Sequence, residues 1–294
     1  MNGFINLLKP PGMSSGAAVA VMKRLTGEKV GHAGTLDPEA AGVLPIMVGR
    51  AARLLDYFAD KSKSYITEIA FAGATDTQDA QGVIIENPAR VPEREEILAV
   101  LPLFRGDILQ RPPAYSALKR DGVPLYELAR KGVTVETKAR PTLIRSLELG
   151  EQSAPDSFML SVDCGSGTYI RTLCHDIGQA LNAPAHMRFL LRTRHGAFSI
   201  EDAVTVEEVQ AAKEQGELEN LLLPMDFPLQ PLPRLDLPER FWKLGRNGGK
   251  LPAGIMPEAR ENQPVRVYAD GILLGVAHKD GEFIRFDVGL TGGN

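Results

Sequence analysis

The chain has 294 residues, 44 % hydrophobic and 24 % charged, a length that suits two domains and a composition that suits a buried core. The N-terminus lacks a basic-then-apolar leader pattern, and the longest apolar run, Ala40 to Gly49, carries Gly42 and Pro45, so neither secretion nor a membrane span is expected. Two cysteines without zinc spacing point to reduced thiols in a cytoplasmic protein, and a net charge of −4 taken alone argues against a polyanionic partner.

In chain order, Gly3 to Leu8 reads as a strand entering the turn Lys9-Pro10-Pro11-Gly12. Ser14 or Ser15 then caps a helix whose Ala18, Val21, Met22 and Leu25 recur at helical spacing. The stretch Gly31-His32-Ala33-Gly34-Thr35-Leu36-Asp37-Pro38, with Glu39 to Pro45 after it, predicts a tight irregular loop that presents Asp37. Lys63 to Ala72 reads as a strand with Tyr65, Thr67, Ile69 and Phe71 on one face. Leu125 to Lys131 looks helical and stops at Gly132.

Leu143 to Leu149 and Phe158 to Cys164 alternate as strands, the second leading through Gly165-Ser166-Gly167-Thr168 into a helix striped by Ile170, Leu173, Cys174, Ile177 and Leu181. Met187 to Thr193 is a further strand, and Thr205-Val206-Glu207-Glu208 is a capping box opening a helix. Irregular interleaving of strands and helices predicts an α+β fold with a mixed, mainly antiparallel sheet flanked by helices. Five prolines between Pro224 and Pro238 suit a semi-rigid connector. Beyond them Val265 to Ala269, Ile272 to His278 and Phe283 to Phe286 read as a small β meander joined by hairpin turns.

Charge is unevenly spread. Leu103 to Arg145 carries nine Lys or Arg against four acids, and His186 to Gly196 carries three Arg and two His with none. Glu201 to Asn220 holds seven acids and one Lys. Such segregation permits a basic face for nucleic acid, although by itself it reads as ordinary surface charge.

Two residues invite chemistry. Asp37 alone is no more than a turn aspartate, but Arg171 falls in the first turn of its helix, where the macrodipole disfavours a cation by roughly 0.3–1 kcal/mol and a nearby carboxylate would compensate. Asp163 is a structural candidate for that carboxylate and Asp37 a functional one, and sequence does not choose between them. No dinucleotide fingerprint, Walker A pattern, HExxH or GxSxG motif is present.

Six segments together carry a family pattern: Lys9 to Ser15, Gly31 to Pro38, Lys63-Ser64-Tyr65, Gln110 to Lys119, Gly167 to Leu173, and Leu191-Arg192-Thr193. In this order they resemble the TruB-type tRNA pseudouridine synthases over nearly the whole chain. Ala33, where Thr is frequent, and Glu39, where an apolar residue is frequent, are small departures.

The resemblance implies isomerisation of uridine 55 in the tRNA T-loop, a redox-neutral reaction expected to need no cofactor and no metal. It implies Asp37 as the catalytic aspartate, by one of several routes at the glycosidic bond, with Tyr65 against the base and Arg171 paired to Asp37. It further implies RNA-binding roles for His32, which would fill the stack vacated by a flipped nucleotide, and for Asp79, Tyr169, Leu191 and Lys119. Arg111, Arg120 and Tyr115 would join Lys119 in a gripping insertion.

The expected organisation is a pseudouridine synthase domain at 1–223, a Pro-rich linker at 224–238 and a PUA-like RNA-binding module at 239–294 reaching the acceptor end of tRNA. A monomer without a membrane partner is expected. Two other readings stay open: a non-catalytic tRNA-binding or tRNA-folding protein, and an aspartate-nucleophile hydrolase that would need a metal-binding acidic cluster beside Asp37.

Overall fold

The computed structural model describes residues 1–113, 115, 119–120, 122–125 and 137–291. Of the expected helix at Leu125 to Lys131 only Leu125 is described, as a helical and buried residue; the rest of it and the side chains of Lys119 and Arg120 lie outside the described residues.

The strands are β1 (Gly3–Lys9), β2 (Val30–His32), β3 (Ala41–Val48), β4 (Lys63–Ala70), β5 (Ala74–Thr75), β6 (Ile84–Glu86), β7 (Gly106–Gln110), β8 (Lys119–Arg120) and β9 (Val123–Pro124). There follow β10 (Arg140–Ala154), β11 (Ser157–Cys164), β12 (His186–His195), β13 (Phe198–Ser199), β14 (Arg234–Asp236), β15 (Leu251–Pro252), β16 (Pro264–Ala269), β17 (Ile272–Asp280) and β18 (Phe283–Gly289). The helices are α1 (Ser15–Thr26), α2 (Arg94–Val100), α3 (Ile170–Ala180), α4 (Val206–Gln215) and α5 (Trp242–Arg246).

The large sheet runs β1-β3-β12-β4-β11-β10-β7, with β2 added to β3 and β13 to β12. Every pairing in it is antiparallel except β12 with β3, so the expected mixed, mainly antiparallel α+β fold is what forms. Its centre is β4, whose alternation buries Tyr65, Thr67 and Ile69. The apolar stripe of α3 packs Leu173, Cys174 and Ile177 into the same core as Ile69, Leu147 and Leu160. Both thiols are buried and free. Among the described residues no helix is long and apolar enough to cross a membrane.

One expectation is corrected here. The segment after Glu39, expected as loop because of Gly42 and Pro45, is strand β3, paired with β1 from Gly42 to Val48. Pro45 is tolerated because β3 meets β12 only at Ala41 and Gly42 and meets β2 only from Ile46 onward. The missing N–H falls where the strand changes partners. Gly42 is required for a different reason: its φ is +115°, and a Cβ there would lie 2.2 Å from the Arg192 carbonyl oxygen. Gly42→Ala is therefore expected to cost roughly 1–3 kcal/mol from backbone strain, and more from the clash. The readout is the urea midpoint; an unchanged midpoint would mean that β3 and β12 part without penalty.

A second sheet, β14-β16-β17-β18-β15, curls into a half-barrel around Leu235, Leu251, Val265, Val267, Leu274 and Ile284. The Pro-rich stretch does more than connect, since Arg234–Asp236 is a strand of this sheet and Leu229 is buried. Buried Arg266 donates to the carbonyls of Gln230 and Leu232, and Tyr268 Oη donates to Asp226 at 2.5 Å. Arg50 and Arg53 donate to the carbonyls of Leu290 and Gly289, seating the second sheet on the first body.

Candidate active site

The loop between β2 and β3 carries Asp37 and is held by side chains from three elements. Ser14, not Ser15, caps α1. Ser15 is thereby free to bond both backbone groups of Leu36, each at 2.9 Å. Arg192 on β12 donates to the carbonyls of Gly34, Thr35 and Val43. Lys9 at the end of β1 donates to Pro10, Met13 and Pro38. Both cations are fully buried. Anchoring residues 34, 35, 36 and 38 leaves the Asp37 side chain little freedom, the preorganisation that a reacting group needs.

Arg171 meets that carboxylate side-on, Nε to Oδ2 at 3.0 Å and Nη2 to Oδ1 at 3.2 Å. The same guanidinium donates to the carbonyls of Tyr115 at 2.9 Å and Thr77 at 3.2 Å, and Asp79 stands 3.6 Å from it. The cation at the start of α3 thus finds Asp37, and Asp79 besides. Asp163 instead accepts from Ser64, Arg194 and Arg145. Arg171 is 7 % exposed and the Asp37 side chain 36 %, so the cation is locked while the carboxylate stays accessible.

Burial pushes the Asp37 carboxyl above its ordinary value; Arg171 and Lys9 oppose this and Asp79 adds to it. Tyr65, nearly buried on β4, is pushed up to about 12 by burial, against the pull of Arg192 opposite it. Burial lowers His32 below the usual histidine value, so the ring is neutral at pH 7.

Asp37, Thr35, Leu36, Arg171 and Leu190 form a septum between two hollows. The larger, of about 920 Å³, is lined by His32, Asp79, Tyr115 and Phe189 among others. The smaller, of about 340 Å³, is lined by Lys63, Tyr65, Ser166, Thr168 and Tyr169. Buried Gln110 fixes Tyr169 by accepting from its N–H at 3.0 Å and donating to its carbonyl at 3.2 Å. Asp79 is steadied by Thr77 at 2.6 Å in a loop tied to α3 through Thr172 and Gln78.

Asp37, Arg171, Tyr65, His32, Asp79 and Tyr169 therefore converge. Leu191 does not. Strand alternation places Leu190 beside the cleft, with Thr67 as its cross-strand partner, and turns Leu191 to the other face opposite Ile66. The basic segment His186 to Gly196 is no phosphate face either. Arg188 pairs with Asp156, Arg194 with Asp60 and Asp163, and Arg192, His186 and His195 are buried.

Sequence reasoning assigned no role at the site to Lys9, Arg192, Ser15 or Gln110. Lys9, Ser15 and Gln110 sit inside motifs that drew attention to the side chains facing the cleft, and only tertiary structure shows them beneath it.

Residues 22–170 match the TruB family pseudouridylate synthase N-terminal domain, and residues 171–230 the tRNA pseudouridylate synthase B C-terminal domain. The chain is 46 % identical to tRNA pseudouridine synthase B of Heliobacterium modesticaldum, over 98 % of this chain and 92 % of that protein. It is 40 % identical to the protein of that name in a Clostridium perfringens strain, over 95 % and 96 % of the two chains. Among solved structures, a chain of a Cbf5-Nop10-Gar1 complex superposes with a TM-score of 0.75 at 27 % identity, covering 98 % of this chain and 84 % of that one. Sequence, fold and site agree: the chain belongs to the TruB family of tRNA pseudouridine synthases.

Proposed function

We propose that this protein isomerises uridine 55 in the T-loop of tRNA, acting through Asp37 on a nucleotide turned out of the loop. The observation that carries this is the accessible carboxylate, clamped side-on by a buried guanidinium, on the wall of a hollow of about 340 Å³. A base inside a folded loop exposes neither C1′ nor C5 to a carboxylate, so the nucleotide must leave the stack, at a cost of a few kcal/mol. Tyr65 and Leu190 flank the everted base, and Leu190 takes the position first assigned to Leu191. Tyr169 closes the hollow, and Arg171 orients Asp37. The isomerisation balances without a cofactor.

His32 fills the vacated stack. Its ring is neutral and half-buried, and it lines the larger cavity that would receive the rest of the loop. Stacking is worth roughly 1–3 kcal/mol per base. His32→Gly is accordingly expected to lower kcat/KM on a tRNA transcript by about tenfold or more; unchanged kinetics would remove the wedge role.

Asp79 borders the same cavity and contacts the RNA loop, and Lys119 grips phosphate. The second sheet acts as a PUA-like module on the acceptor end. Exposed Arg240, Lys243, Arg246 and Lys250 surround Phe241, Trp242 and Phe283, a mixture of cations and aromatic faces suited to RNA. The working division is a catalytic body through about residue 223 and a second module whose sheet takes in β14 from the Pro-rich stretch, in a cytoplasmic monomer. The test is base mapping after incubation with an unmodified transcript. Pseudouridine should appear at position 55 and be absent from a transcript carrying cytidine there; modification elsewhere would refute the assignment.

A further inference from the structure

Lys63 opens β4 two residues before Tyr65, so strand alternation sets both side chains on one face. It lines the smaller hollow together with Tyr65, Ser166 and Thr168. Its side chain runs along the Asp37 loop, since a Cβ on Gly34 would come 3.6 Å from Lys63 Cε. The ammonium donates to the Lys61 carbonyl at 3.2 Å and makes no ion pair among the described residues. Asp60, the acid in its surroundings, is taken by Arg194 at 3.1 Å. An ammonium has three donors, and among the described residues only one finds an acceptor. Of the neighbouring cations among the described residues, Arg192 is occupied by three carbonyls and Arg171 by Asp37 and two more.

We propose that Lys63 donates a hydrogen bond to a carbonyl oxygen of the uracil and stabilises the negative charge the base carries while detached. This rests on the isomerase reading of the site. The N1–C1′ bond breaks with its electron pair left on N1 and delocalised onto O2 and O4. The base turns, C5 bonds to C1′, the C5 proton leaves, and N1 takes up a proton, so atoms and electrons balance. A fixed cation beside the base favours the charged, detached base over the neutral, attached one, which is what accelerates bond breaking.

Single-turnover rates with enzyme in excess over a tRNA transcript test this. Lys63→Met is expected to slow isomerisation by about 10²–10³-fold, the effect of losing one such donor, with transcript affinity and its salt dependence nearly unchanged. A defect confined to affinity and salt dependence would mark a phosphate contact and overturn the proposal, as would an undiminished rate. Lys63→Arg supplies an independent readout should the Met variant not fold. Burial lowers Lys63 to about 8, so a rate that needs the ammonium falls as pH rises through that value, and the arginine variant should carry this alkaline limb to higher pH.

The groups facing Lys63 are Arg192 and His195 on β12, Cys164 on β11, and Asp60 and Lys61 just before β4. Burial holds Cys164 up at about 11 and His195 down at about 2, away from this range. Lys9, beneath the Asp37 loop, is lowered to about 8 as well, so the movement of the limb is diagnostic rather than its presence. A limb that stays in place in Lys63→Arg contradicts the proposal. Wild-type turnover in the same assay separates the two claims: its absence would defeat the isomerase reading, whereas wild-type turnover with an unimpaired Lys63→Met defeats only the role of Lys63.

Discussion

Asp37→Asn is expected to abolish pseudouridine formation, lowering kcat by about 10⁴-fold or more, while tRNA affinity stays within a few-fold of wild type. The substitution keeps the shape of the side chain and the loop anchors at residues 34, 35, 36 and 38, so the cleft should survive and only the anionic oxygen is lost. Filter binding and tritium release from C5-labelled uridine measure the two quantities separately. Retained turnover would dismiss Asp37 as the reacting group; parallel loss of turnover and affinity would make it a folding residue instead. Because burial raises the Asp37 carboxyl, a wild-type rate that needs the ionised form should fall with acid at a pH above the ordinary aspartate value.

Arg171 should act through position as well as charge. Lysine keeps the charge but cannot make the side-on pair with Asp37 and still reach the Tyr115 and Thr77 carbonyls, so Arg171→Lys should lower kcat by about 10²-fold or more with little change in affinity. Arg171→Met removes the charge that offsets Asp79 and the burial of Asp37. The carboxyl then rises further, and the acid limb of the pH–rate profile moves to higher pH. Asp37 remains partly exposed, so the stability lost should be about 1–3 kcal/mol, less than for a fully buried pair. A profile unmoved in Arg171→Met would show that the guanidinium does not govern the carboxylate.

The sequence exposed those parts of the fold where local pattern and tertiary role coincide. Alternation in Phe158 to Cys164 and the stripe of Ile170, Leu173, Cys174 and Ile177 are read correctly because each buries one continuous face against the core. The Asp37–Arg171 contact was narrowed to two carboxylates by electrostatics alone, since a cation in a helix first turn needs compensation.

What failed did so for identifiable reasons. Gly42 and Pro45 are breakers in isolation, yet β3 uses one for close approach to Arg192 and the other where it changes partners. Leu190 and Leu191 differ by one residue, and a one-residue slip reverses the face of a strand. The arginines at 188 and 194 look like a phosphate-binding run until their carboxylates arrive from 60, 156 and 163. Lys9 and Arg192 were invisible as anchors because nothing in a linear pattern marks a cation whose partners are backbone carbonyls.

The most direct test is a crystal structure of the wild-type protein with a T-arm stem-loop whose target uridine is made unreactive. The expected result is that nucleotide everted into the hollow beside Tyr65 and Leu190, with its reacting carbon within about 3.5 Å of an Asp37 oxygen still paired to Arg171. A uridine left stacked in its loop, or seated where Asp37 cannot reach it, would contradict the assignment.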